Sequence, residues 1–220
     1  MKKSRAAGLA VVLALLLTGC LKTAKAGDWS SGAERIYVNR AMGIESSVIY
    51  TSPVDNDTYN QDELQTYVDG VVAAYNEEHA GAKESQNREG ANRLPVALKS
   101  CILEGGTGKL VFEYKDGENL VAFARETGDK SNTLTGFSVM KVSDALVAGG
   151  LLDGTFVTIE GEAAASEEVT KQSGQIAVTA TGSAVIYTEG AILYVTEGVT
   201  LRDTHTAEVP EGKSYIIFQK

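Results

Sequence analysis

Cys20, Cys101, His79 and His205 are the side chains of this 220-residue chain most apt for nucleophilic or metal chemistry. No His-x-His or His-x-x-x-His spacing occurs, and Cys101 stands between Ser100 and Ile102 with no ligand type beside it. A zinc or copper site would have to be assembled from residues far apart in the chain, so the sequence predicts neither a metal nor a cofactor. Cys101 lies in a strand-like run and reads as a small buried hydrophobe. His79 closes a helix, where a cation suits the negative end of the dipole. His205 follows Asp203-Thr204 in a turn. Gly105-Gly106-Thr107-Gly108-Lys109 superficially resembles a phosphate loop, but Leu103 and Leu110 occupy the places that need Gly and Ser/Thr. A hairpin turn is the expected structure there. Ser138 follows Gly136-Phe137, yet Met140 stands where a nucleophile elbow needs glycine. Asp55-Asn56-Asp57 begins like a calcium loop, but Tyr59, Asn60 and Thr66 fill its fifth, sixth and twelfth positions. A solvated turn is expected, with a weak calcium site at Asp55 and Asp57 left open. Glu77/Glu78 and Glu167/Glu168 are adjacent, so their carboxylates diverge and do not make a glycosidase pair. No catalytic residue is assigned.

Cys20 has a different context. Lys2, Lys3 and Arg5 precede an apolar run from Ala6 to Leu17, broken only by Gly8. This is the layout of an export signal, and the run is shorter than the roughly 20 residues a membrane span needs. It ends in Leu17-Thr18-Gly19-Cys20. That ending resembles the lipobox of bacterial lipoproteins, which signal peptidase II cleaves before the cysteine. The resemblance implies cleavage between Gly19 and Cys20, a diacylglyceryl thioether on Cys20, and a further palmitate-type acyl group on the new N-terminus. One acyl chain gives marginal membrane binding, whereas two give stable anchoring. Residues 1–19 are thus expected to be a signal, and residues 20–33 a lipidated cysteine with a flexible tether. The expected address is the outer face of the cell membrane.

Charge fits that reading. The chain carries a net −9, and residues 1–19 hold three of its twenty basic groups and no acid. The remainder has 17 basic and 29 acidic groups, a net −12. An acidic body without a Lys/Arg run opposes binding to nucleic acid or to anionic headgroups. With Cys20 acylated, Cys101 has no partner for an intramolecular disulfide.

The elements that must position these groups read as α+β. Ile36 and Val38 alternate, Met42-Gly43 offers a turn, and Val48-Ile49-Tyr50 is β-prone, which predicts a hairpin over 35–51. Leu64, Val68, Val71 and Tyr75 recur at helical spacing, which predicts a helix over 61–79. Asn60 and Glu63 match a capping box, and Gly81 marks the stop. Residues 80–93 read as a polar, mobile loop. Strands are expected over 95–103 and 109–114, then a short helix from Asp116 to Gly128 and another over 143–148 capped by Ser143. After Gly154 the pattern is β: 156–159, 176–179, 184–187, 192–195, 199–201 and 215–218. Gly-containing turns between them predict an antiparallel meander. The expected organisation is an α+β region over 34–153 and a β-rich region over 154–220, with 34–220 able to form one compact domain.

Past the tether, the chain also resembles a loosely defined set of uncharacterised lipoproteins from Gram-positive anaerobes. The matching pieces are the early hairpin, Asp-Glu-Leu-Gln-Thr-Tyr-Val at 62–68 with Ala-Tyr-Asn at 74–76, and Ser-Tyr-Ile-Ile-Phe at 214–218. The resemblance carries no activity and no site residues. The functional expectation is therefore a membrane-tethered, non-catalytic protein that binds, scaffolds or senses outside the cell, with a protein or cell-wall partner. An envelope hydrolase and a solute-binding lipoprotein are the rival readings.

Overall fold

The structure is a computed structural model that describes residues 33–51, 60–150 and 154–220. The first hairpin pairs β1 (Arg35–Val38) with β2 (Ile44–Thr51). Its turn is built by Asn39, whose side-chain oxygen accepts from the amides of Ala41 and Gly43. Met42, at φ 65°, takes the left-handed position. Gly43 serves space instead, because a Cβ there would lie 2.6 Å from the Asn39 amide nitrogen.

Helix α1 (Gln61–Ala80) carries both halves of the capping box between Asn60 and Glu63, and Gly81 closes it at φ 68°. Its buried face is Leu64, Val68, Val72, Tyr75 and Asn76. The polar stretch after it has no regular element, yet it is tied down. Leu98 N–H donates to the Ser85 carbonyl at 2.7 Å, and the Asn87 side chain reaches Glu113 at 3.0 Å. Strands β3 (Val96–Glu104) and β4 (Thr107–Tyr114) follow as a hairpin through Gly105 and Gly106. Both glycines have positive φ, as the favoured two-residue hairpin turn requires. Helix α2 (Gly117–Thr127) is capped by Asp116 and closed by Gly128. Strand β5 (Gly136–Lys141) leads into α3 (Val142–Val147). Ser143 does not cap α3. Lys141 holds the cap position without a side-chain bond, and the Ser143 hydroxyl bonds Asp144.

The rest is β6 (Phe156–Thr158), β7 (Ala163–Ala164), short helix α4 (Ser166–Thr170), β8 (Ile176–Thr181), β9 (Ala184–Thr188), β10 (Ile192–Thr196), β11 (Thr200–Leu201), β12 (Thr206–Val209) and β13 (Lys213–Phe218). These strands do not form a meander. β8 and β10 join one sheet, while β9 and β11 join the other, so the chain passes back and forth between sheets. The first sheet has seven strands in the order β11-β12-β9-β1-β2-β4-β3, and the second has six in the order β5-β8-β13-β10-β6-β7. Pairing is antiparallel except between β1 and β9. Residues on both sides of position 154 contribute to both sheets.

One core cluster gathers Ile36, Val38, Val48, Leu110, Phe112 and Ile186 of the first sheet with Ile176, Val178, Ile216 and Phe218 of the second, and with the apolar faces of α1 and α2. The opposite face of the second sheet buries Ala177, Tyr215 and Ile217 against Val142, Ala145 and Val169 of α3 and α4. That double burial explains the unbroken apolar run Tyr215-Ile216-Ile217-Phe218, in which successive side chains enter different cores.

The outer edge of the first sheet is β3, and α1 covers it with side chains. Asn76 Nδ2 donates to the Val96 carbonyl at 2.7 Å, and its Oδ1 accepts from the Val96 amide at 3.1 Å. Gln61 does the same further along, donating to the Cys101 carbonyl at 2.9 Å and accepting from Leu103 N–H at 2.7 Å. Each amide side chain stands in for a neighbouring strand residue. The edge is thereby closed to pairing with another chain.

Candidate functional site

Gly19 and Cys20 lie outside the described residues, as do the rest of the expected signal and tether up to residue 32 and the Asp55/Asp57 segment. Cys101, His79, His205, Lys109 and the paired glutamates are all placed. Cys101 is buried in β3 against Gln61, and burial pushes its thiol up from the ordinary range. His205 lies in the connection from β11 to β12, where Nδ1 meets the Thr188 carbonyl at 2.9 Å and the ring stacks on Tyr187. Lys109, from the loop that resembles a phosphate site, is paired with Glu104 across the hairpin at 3.0 Å. Glu167 and Glu168 sit in the first turn of α4.

Cys101, His79 and His205 do not converge. Cys101 contacts Gln61, the first residue of α1, whereas His79 is near its last. At 1.5 Å rise per residue those ends are about 27 Å apart. β3 and β12 are separated by four strands in the first sheet, or about 24 Å at the usual strand spacing. A nucleophile–histidine arrangement of these residues has no geometric basis.

What the fold does assemble is a cluster at the joined C-terminal ends of α1 and α2. His79 Nε2 lies 3.2 Å from the carboxylate of Glu126, which is 47 residues away in sequence. Glu78 completes a group whose ligand atoms all lie within 4.8 Å of one another. All three residues are exposed. The His79 ring is held from behind by Tyr75, with centroids 4.1 Å apart, and Tyr75 in turn meets Phe123 of α2 edge-on at 5.2 Å. The Tyr75 hydroxyl is pushed up to about 12, first by burial and then by the nearby negative charges of Glu126 and Asp116.

Beneath α1 and α2 lies a small cavity of about 40 Å³ lined by Val48, Val68, Val71, Phe112, Phe123 and Asp129, among others. It is nearly all apolar, with Asp129 as its one carboxylate. Burial raises the pKa of Asp129 above the usual carboxylate range, opposed by hydrogen bonds from the Ser131 amide and hydroxyl. Glu34 is raised too, by burial first and then by the charge of Asp129. Tyr114, fully buried beside them, shares a 2.8 Å hydrogen bond with Ser46. The volume suits a few water molecules at most, too little for an organic ligand.

The opposite face of the first sheet is polar and aromatic. Tyr37 and Tyr187 lie 6.0 Å apart, Arg35 stands 5.6 Å over Tyr187, and Lys99 pairs with the buried Glu45 at 2.5 Å. Arg93 pairs with Glu113 on the same face.

Comparison with protein-family models, with curated proteins and with solved structures finds no match. His79 is legible in the sequence as a helix-terminal histidine, but its partners are not. Glu78 reads from sequence only as one of a diverging pair with Glu77, and Glu126 carries no local signal beyond its place in the last turn of a capped helix.

Proposed function

We propose that this chain is an exported lipoprotein, held at the outer face of the cell membrane by acyl chains on Cys20. The folded body beyond the tether would act there by binding or scaffolding, without catalysis and without nucleic acid. The observation that carries the reading is the succession Lys2-Lys3-Arg5, the apolar run Ala6–Leu17, and Leu17-Thr18-Gly19-Cys20. The described body begins at residue 33, thirteen residues past that cysteine. No helix among the described residues is long and apolar enough to cross a membrane. Two or more acyl chains, at about 0.8 kcal/mol per buried methylene, would hold the protein on the bilayer against its negative charge.

The rival readings draw less support. A hydrolase would need its nucleophile and base together, and Cys101, His79 and His205 are far apart. A two-lobed solute-binding protein would need alternating strands and helices around parallel sheets. The strands here are almost all antiparallel and cross between two sheets. The test is fractionation and intact-mass analysis of the expressed chain beside a Cys20→Ser variant. The parent is expected in the membrane fraction, starting at Cys20 and carrying fatty acid, with the variant unacylated and released. A parent without fatty acid, or a variant bound as firmly as the parent, overturns the proposal.

A further inference from the structure

We infer that Glu78, His79 and Glu126 form a surface site for a first-row divalent cation of the zinc class. The donor set is one imidazole and two carboxylates, which is the chemistry of zinc and its neighbours, whereas calcium and magnesium favour oxygen alone. The ligand atoms already lie within 4.8 Å of one another. Zinc bonds of about 2.0–2.2 Å place tetrahedral ligands about 3.4 Å apart, so the group has to tighten by roughly 1.4 Å at most. Exposed glutamates supply that movement by rotamer change.

Two further features favour a cation at this spot. His79 is in the last turn of α1 and Glu126 in the last turn of α2, so the negative ends of two helix dipoles meet at the same place. The imidazole is also pre-oriented, because the Tyr75 ring backs it and Phe123 backs Tyr75. The ion would take the place of the hydrogen bond that now joins His79 Nε2 to the Glu126 carboxylate. Three protein ligands leave a fourth position for water. The bound ion would clip the C-terminal ends of α1 and α2 together. The site depends on neither the lipid nor the membrane address.

The experiment is calorimetric titration of Zn²⁺ into the untagged full chain in detergent, with Co²⁺ absorption as a second readout. Parallel titrations use His79→Ala, Glu126→Gln and His205→Ala, each checked for native circular dichroism. The expected result is one Zn²⁺ per chain, lost in His79→Ala and weakened at least about tenfold in Glu126→Gln, since even partners outside the ligand shell cost that much. His205→Ala is expected to bind as the parent does. No saturable binding by the parent, binding retained in both His79→Ala and Glu126→Gln, or binding lost only in His205→Ala overturns the assignment. Glu126→Gln preserves size and helix propensity, so it decides the matter even should His79→Ala unfold.

Discussion

Replacing Asn76 with alanine should cost this protein more stability than any other single polar substitution among the described residues of α1. The side chain is wholly buried, and it makes three hydrogen bonds to backbone. Its Nδ2 donates at 2.7 Å to both the Glu84 and the Val96 carbonyls, and its Oδ1 accepts from the Val96 amide at 3.1 Å. Alanine leaves all three backbone groups without that partner, two of them on a strand edge sealed by the helix. A buried polar group left unpaired costs about 1–3 kcal/mol. Partial rescue by water at Glu84, nearer the surface, brings the expected loss to about 3–5 kcal/mol. For a domain of this size that is a fall in Tm of about 6–20 °C. Denaturant unfolding followed by circular dichroism gives the free energy. Amide hydrogen exchange at Val96 localises it, because that amide should lose protection before the rest of β3. A loss below about 1 kcal/mol, or unchanged protection at Val96, would refute the view that Asn76 substitutes for a missing strand.

Gly117→Ala places a Cβ 2.0 Å from the Phe137 carbonyl oxygen, so α2 must shift against β5. A loss of about 1–3 kcal/mol is expected in the same unfolding assay. Gly81→Ala meets open space but forces alanine to φ 68°, and about 1–2 kcal/mol should be lost without any change in the core. Asp129 has its folded pKa raised above 3.8, so its burial favours the protonated form. Its contribution to stability is present below that value and is lost as pH rises toward the folded pKa. Unfolding measured across the acid range should therefore show Asp129→Asn gaining on the parent as pH increases, and a constant difference would contradict this. Thiol titration should find no reactive group in the folded chain, because Cys101 is buried and its thiolate disfavoured. In denaturant one thiol should appear if Cys20 is a thioether, and a count of two would speak against lipidation.

The legible parts of the fold were those whose signals are local. Asn60, Glu63 and Gly81 lie within one helix length of Leu64, Val68 and Tyr75, and every part of that pattern reappears in α1. Asp116 and Gly128 mark α2 in the same way. β5 escapes the pattern because Phe137 and Val139 face one core and Met140 the other, so the short run Gly136–Lys141 shows no apolar/polar alternation. β12 and α4 span four and five residues, too short for periodicity to register. Ser143 looked like a helix cap because its type suits one, but the helix began one residue earlier and the hydroxyl turned to Asp144. The meander failed for a different reason. Glycines at 182, 190 and 198 mark where the chain reverses, and nothing in a turn says which of two stacked sheets receives the next strand. The same holds for the cation cluster. His79 could be read from one helix, but Glu126 reaches it only because α2 packs beside α1, a fact distributed over the whole core.

β13 follows every other described strand in the chain, yet it stands between β8 and β10 in the interior of its sheet. β1, the earliest described strand, is likewise flanked by β2 and by β9, which begins 149 residues further on. A polypeptide delivered amino-terminus first, from a ribosome or through an export channel, cannot complete either layer until nearly all of it has arrived. Until then the nascent chain presents unpaired edges and an open seam where its final segment belongs. Folding is thereby tied to completion of delivery. A chain cut short before Lys213 would have its second sheet divided into β5-β8 and β10-β6-β7, with both new edges unpaired.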